Sequence, residues 1–278
     1  MIDSPFLISA GFLMGIFILF LIRHFLMNTR KKPEIIIGNA QSIGARSEQE
    51  DSFTSVINEH GVMAALADGM GGYSNGKMAS SLVVNLFVKE FTKKRQIEPV
   101  DKFFHDTLLL SNEKLLEKAK EKKTGTTMVV VVISEGYLSW ASVGDSAIAL
   151  FRNQEFQNLN QKQIFQTMLE KEYLSGHISK EEVLNNPKKK RLTNYIGHEN
   201  FHEIITSKRA IKLQHGDRII LCSDGVYNSI TEIEMEKALM KNLPPDKAAE
   251  EIINIIKAKN IKNQDNATII ILEKNNSK

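Results

Sequence analysis

The chain has 278 residues, of which 42% are hydrophobic and 25% charged, a balance typical of globular proteins that excludes long disorder and collagen-like architecture. Its single cysteine excludes a disulfide scaffold. The net charge of +3 is local, because residues 1–33 carry Arg23, Arg30, Lys31 and Lys32 against Asp3 alone; residues 34–278 are formally neutral, and a surface built for nucleic acid is disfavoured.

The first predicted element is Phe6–Ile22, seventeen residues without a charge, which as a helix span roughly 26 Å at 1.5 Å per residue. A buried core helix would show a polar face, and this run has none. A cleaved signal peptide expects positive charge before the run and a small-residue site after it, whereas here Asp3 precedes and the basic residues follow. Arg23 can snorkel, so His24, Phe25, Leu26 and Met27 extend the helix into the interface. Residues 1–33 are therefore expected to be a single-pass membrane anchor with a basic juxtamembrane segment. The positive-inside rule puts the N-terminus outside and residues 34–278 in the cytoplasm, a reducing compartment that suits one cysteine.

Beyond Pro33, strands are predicted at Val62–Ala67, Thr126–Ile133, Tyr137–Val143, Ala147–Phe151, Arg218–Cys222 and Ala267–Leu272, from β-branched and aromatic enrichment between turn residues. Helical spacing of apolar residues marks Gly76–Lys94, with Met78, Leu82, Val83, Leu86, Phe87 and Phe91, and Lys102–Lys122. A helical insert is expected at Ile164–Leu184. Later helices are expected at Glu232–Met240 and Asp246–Lys259, separated by Pro244-Pro245. Two successive helices followed by three successive strands argue for an α+β layered domain over a doubly wound sheet.

The acidic residues fall where these strands begin and end. Asp68 follows Val62–Ala67 and precedes Gly69, Asp145 follows Val143-Gly144, Asp224 follows Arg218–Cys222 and precedes Gly225, Asp265 opens the last strand, and Glu50-Asp51 precede the apolar stretch Ser52–Ile57. A lone Asp-Gly is usually a turn, but six carboxylates drawn toward a core need compensation by protons or cations. Hard oxygen ligands with no His or Cys pair at zinc spacing select Mg²⁺ or Mn²⁺. Other chemistries fit less well. Gly71-x4-Gly76-Lys77 lacks the Ser or Thr of a P-loop, since Met78 follows, and Cys222 has Asn228 where a cysteine phosphatase needs Arg. Cys222 and Trp140 read as core residues, and the scattered histidines receive no catalytic role.

The motifs Arg46-Ser-Glu-Gln-Glu50-Asp51, Ala67-Asp68-Gly-Met-Gly-Gly72 with Gly76 and Ala79-Ser80, Gly125-Thr126-Thr127, Val143-Gly144-Asp145-Ser146, Leu192-Thr193 with Ile196-Gly197, Cys222-Ser223-Asp224-Gly225 and Asp265-Asn266 resemble those of the metal-dependent type 2C (PPM) protein phosphatases, in that family's order over most of residues 35–273. The resemblance implies a four-layer α-β-β-α sandwich with two central antiparallel sheets, and a binuclear Mn²⁺ or Mg²⁺ centre that hydrolyses phosphoserine and phosphothreonine in proteins. It implies that Asp68 bridges the metals, that Glu50 and the Gly69 carbonyl complete one site, and that Asp224 and Asp265 hold the other. In the same way Asp51 would orient the attacking water, Arg46 would clamp the phosphate, and Asp145 would serve a weaker third metal site seen in many members.

Two departures bear on these expectations. Met70 stands where many eukaryotic members have a proposed acid histidine, and methionine has no proton to give. The segment of about 152–195 resembles the family's mobile flap, yet Gln161-Lys162-Gln163 replace its expected Asp-His-Ser start. The expected partners are phosphoproteins, among them a cognate kinase, with the membrane as the only other contact, no nucleic acid, and a monomeric catalytic domain. The alternative is a tethered pseudophosphatase that binds phosphoproteins without turnover, which loss of metal-binding acids would mark; all six positions are filled.

Overall fold

Runs such as Met128-Val-Val-Val-Val-Ile133 have no polar side to turn to water, and since successive strand residues point to opposite faces, they need cover on both. The fold supplies it. A computed structural model describes residues 5–28, 33–71, 75–93, 97, 99–119, 124–201 and 203–275, with side chains from residue 11 to 23 in the first helix. Gly72, Arg30, Lys31, Lys32, Asp3 and the ends of the two predicted helices at Lys94 and Lys122 lie outside the described residues.

The chain divides into two units, residues 1–34 with 275–278, and residues 35–274. The first contains α1 (Pro5–Asn28). Its described side chains leave Phe12, Leu13, Met14, Ile16, Phe17, Ile18, Leu19, Leu21 and Ile22 exposed, so no polar face exists. Among the described residues no helix is long and apolar enough to cross a membrane, so the structure does not show the expected single-pass anchor; within α1 only residues 11–23 have described side chains.

The second unit runs β1 (Ile35–Ser42), β2 (Ser52–Asn58), β3 (Gly61–Ala67), β4 (Gly69–Met70), α2 (Asn75–Lys93), α3 (Val100–Ala119), β5 (Gly125–Thr126), β6 (Met128–Ser134), β7 (Tyr137–Val143), β8 (Ala147–Arg152) and β9 (Glu155–Asn158). It continues through α4 (Phe165–Leu174), α5 (Lys180–Asn185), β10 (Ile205–Thr206), β11 (Ile211–Lys212), β12 (Arg218–Cys222), α6 (Asp224–Tyr227), α7 (Glu232–Leu239), α8 (Pro245–Ala258) and β13 (Ala267–Lys274). One antiparallel sheet has the order β1-β13-β12-β8-β9, the other β10-β7-β6-β3-β2 with β11 also on β7, and β4-β5 form a small pair.

Alternation along each strand sorts side chains into three cores. Ala64, Leu66, Val129, Val131, Ile219, Leu221, Ile270 and Leu272 fill the space between the sheets. Their neighbours Met63, Ala65, Val130 and Val132 pack with Phe87, Phe91, Phe103 and Phe104 of α2 and α3, while Ile220, Ile269 and Ile271 pack with Ala248, Ile252 and Ile256 of α8. Helix, sheet, sheet and helix therefore form four layers, as expected of the α+β class. Cys222 and Trp140 are both core residues.

All six predicted strands exist, with shifts of a residue or two at their ends. The run at Thr126–Ile133 is interrupted at Thr127, where the chain leaves the β4-β5 pair for the main sheet. β1 has no sequence signal beyond Ile35–Ile37, because its fourth residue is Gly38; a Cβ there would lie 2.0 Å from the Asp246 nitrogen at the start of α8, so close helix approach demands glycine. The expected single insert Ile164–Leu184 is two helices, because Gly176 at φ +77° reverses the chain after α4 and Ser179 then caps α5.

Leu66 is fully buried between the sheets. Leu66→Ala is expected to cost about 2–5 kcal/mol, read as a lowered urea midpoint with an unchanged slope.

Candidate metal centre

Strand register brings the acidic residues to one end of the sandwich. Ser52 pairs with Ala67, so Asp51, just before β2, and Asp68, just after β3, leave the same end of one sheet. Cys222 pairs with Ile269, so Asp224, just beyond β12, and Asp265, just before β13, leave one end of the other.

Asp51 ties the sheets together. Its Oδ2 accepts hydrogen bonds from Ser223 Oγ at 2.8 Å and Thr268 Oγ1 at 2.6 Å, while its Oδ1 is buried without a partner. Glu50 is held through its backbone: its N–H donates to Asn266 Oδ1 at 2.8 Å, and Asn266 Nδ2 donates to the carbonyls of Ile43 and Glu48. Glu50 Oε1 is also buried and unpartnered, and a Cβ on Gly76 would lie 2.3 Å from it. Gly69 is wedged against the Gly76 and Glu50 carbonyls, which explains why glycines flank these acids.

Asp68 is clamped through its main chain. Its N–H donates to Thr127 Oγ1 at 3.0 Å, and its carbonyl accepts from the Thr127 N–H at 2.9 Å and from Thr126 Oγ1 at 2.8 Å. Thr127 Oγ1 in turn shares a 2.7 Å hydrogen bond with Ser146 Oγ, tying this corner to the Gly144-Asp145-Ser146 turn. Asp145 Oδ2 accepts from the Tyr227 hydroxyl at 3.1 Å, and Asp224 Oδ2 from Asn228 Nδ2 at 3.1 Å. Arg46 Nη2 donates to Asp265 Oδ2 at 2.5 Å, with both side chains part-exposed at the rim.

Burial, then repulsion from Asp51, Asp224, Asp145 and Asp265, drives the Asp68 carboxyl far above the usual carboxylate range. Burial likewise pushes Asp51 up to about 6, against its Thr268 and Ser223 hydrogen bonds, and pushes Asp224 up to about 6 with help from Asp145 and Asp265. Glu50 is raised by burial, with Arg46 opposing.

Asp51, Asp68, Asp145, Asp224 and Asp265 thus act on one another, with Glu50 and Gly69 beside them. Among the described residues, however, no three His, Cys, Asp or Glu stand ready-placed around a metal position, and Arg46 and Asn228 occupy oxygens of Asp265 and Asp224. Orphaned, buried oxygens on Glu50 and Asp51 in a hard-oxygen site still fit a divalent cation that displaces those partners. Residues 40–257 match the family profile described as Protein phosphatase 2C. The chain belongs to the protein phosphatase 2C family.

Members of this family are metal-dependent serine/threonine protein phosphatases, and so is this chain. It is 30% identical over 217 residues to the serine/threonine phosphatase stp of Listeria innocua, covering 76% of this chain and 83% of that protein. The serine/threonine phosphatase of S. agalactiae superposes with a TM-score of 0.77 at 25% identity, over 86% of this chain and 99% of that one. The catalytic domain of the phosphatase PstP, solved with 2 manganese ions, shares the fold at a TM-score of 0.68 and 22% identity, over 87% of this chain and 100% of its own.

Sequence reading placed Thr127, Ser146 and Asn266 in motifs without giving them a role, and it missed Thr268, which holds Asp51; a threonine inside a strand run carries no signal of its own.

The raised carboxylates set a pH dependence for the metal-free protein. Asp51 and Asp224 bind a proton more tightly folded, at about 6, than at the ordinary value of 3.8, so their contribution to stability falls as pH rises from about 4 through 6. In EDTA the melting temperature is expected to drop between pH 5 and pH 7.5, and Mn²⁺ is expected to restore more of it at pH 7.5. An equal Mn²⁺ effect at both pH values would count against this electrostatic account.

Proposed function

We propose that residues 34–278 hydrolyse phosphoserine and phosphothreonine in proteins at a two-metal Mn²⁺ or Mg²⁺ centre. The observation carrying this reading is the set of mutually repelling carboxylates with orphaned oxygens on Glu50 and Asp51. Asp68, Glu50, the Gly69 carbonyl, Asp224 and Asp265 would hold the ions. Bound there, the two ions would lower the pKa of a water and neutralise charge on the phosphoryl oxygens.

The chain's own part is positioning. Ser223 and Thr268 occupy one oxygen of Asp51 and leave the other to accept a proton from the attacking water. Arg46 is half-exposed at the rim, and its fork suits two phosphate oxygens once it leaves Asp265. Met70 lines a groove with Arg191, Tyr195 and His198 and gives no proton to the departing alkoxide, which takes one from solvent.

Hydrolysis of a phosphothreonine peptide should require Mn²⁺ or Mg²⁺ and stop with EDTA. Asp68→Asn should lower the rate on the order of 10²-fold or more, and Arg46→Ala should lower kcat/KM by a similar order. Undiminished turnover in Asp68→Asn would refute the two-metal reading.

We also propose that α1 tethers the enzyme to a membrane with the phosphatase unit on the cytoplasmic side, where a shared surface raises the effective concentration of membrane-bound phosphoproteins such as a cognate kinase. The apolar exposure all around the described part of α1 supports this. Full-length protein should sediment with membranes and be released by detergent, whereas residues 34–278 should stay soluble. Recovery of the full chain in the soluble fraction would reject the anchor.

A further inference from the structure

Asp145 lies on the wall of a cavity of about 470 Å³, together with Asn160, Lys162, Asp224, Tyr227 and Asn228. Lys162 is half-buried there, and its Nζ lies 3.0 Å from the centroid of the Tyr227 ring, whose face attracts an ammonium. The hydroxyl of the same Tyr227 donates to Asp145 Oδ2 at 3.1 Å. Cation, ring and carboxylate thus form one chain of contacts.

The backbone holds this arrangement from both sides of Lys162. Gln163 N–H donates to the Gly144 carbonyl at 2.9 Å, and Gly144 N–H donates to Gln163 Oε1 at 2.8 Å. Asn160 Nδ2 donates to the Ser146 carbonyl at 2.9 Å, and the Ile148 N–H donates to Asn160 Oδ1 at 2.7 Å. The segment 160–163 is therefore laced to the turn that carries Asp145, and Lys162 sits between the ties.

These surroundings do not fit a divalent ion at Asp145. An incoming cation would meet an ammonium in the same cavity and a hydroxyl donor already on one of the two carboxylate oxygens. We infer that Lys162, seated on Tyr227, is the built-in counter-ion of Asp145, so that this phosphatase holds no third metal there and works with two. The inference rests on the two-metal reading only for the count of two; the claim about Lys162 is a difference in count between variants.

The test is the number of Mn²⁺ ions bound by the full chain in mild detergent, measured by native mass spectrometry and by electron paramagnetic resonance titration of free Mn²⁺. Wild type is expected to bind two. Lys162→Asp and Lys162→Gln, the second removing charge alone, are each expected to bind one more, and adding Asp145→Asn to either should remove the extra ion. Wild type binding three ions with one lost in Asp145→Asn would overturn the inference, as would equal counts in wild type and both Lys162 variants. Fewer than two ions in wild type would instead sink the two-metal reading, while the difference between variants would still decide the role of Lys162.

Discussion

Mutual repulsion among carboxylates taken out of water is the constraint on which the rest of this structure depends. Asp51, Asp68, Asp145, Asp224 and Asp265 act on one another at one end of the sandwich, and the first four are buried enough that their charged forms are disfavoured. Left alone, such a cluster would push the strand ends apart. Neutral donors hold it instead: Ser223 and Thr268 on Asp51, Asn228 on Asp224, Tyr227 on Asp145, and the Thr127 N–H on the Asp68 carbonyl. Cations stand around it, with Arg46 on Asp265, Lys77 on the Asp51 carbonyl and Lys162 over Tyr227. Compensation from within the protein is incomplete, since Glu50 Oε1 and Asp51 Oδ1 are buried without a partner.

The sheets make this tolerable because their strands are committed on both faces. Alternate residues of β3, β6, β12 and β13 feed the inter-sheet core and the helix-facing cores at once, which fixes register, since a one-residue slip would exchange the two sets. With register fixed, Asp51 and Asp68 leave one sheet together, and Asp224 and Asp265 the other. Asp51 reaches across to Ser223 and Thr268, joining the two sheets through a buried carboxylate.

Much of this was legible beforehand. The central strands announce themselves as continuous β-branched runs, and the acids stand out because they interrupt or border those runs. β1, the split at Thr127 and the break at Gly176 were not legible, because each answers to a contact distant in sequence: α8 over Gly38, the β4-β5 pair beside Thr127, and a local reversal in the flap. The hydroxyl and amide residues around the acids were equally hidden, since Ser, Thr and Asn occur throughout the chain and only proximity distinguishes Thr268 from the others. The missing Asp-His-Ser start was visible as a difference, but its physical meaning was not.

The sequence by itself determined the layered α+β class, the strand-end acids, the hard-oxygen chemistry and the family, because these follow from residue type and order. Tertiary structure decided which acids face one another, which oxygens lack partners, and that Lys162 lies on Tyr227 beside Asp145. Burial and electrostatic coupling depend on distances between segments far apart in the chain, and only the packed fold sets those distances.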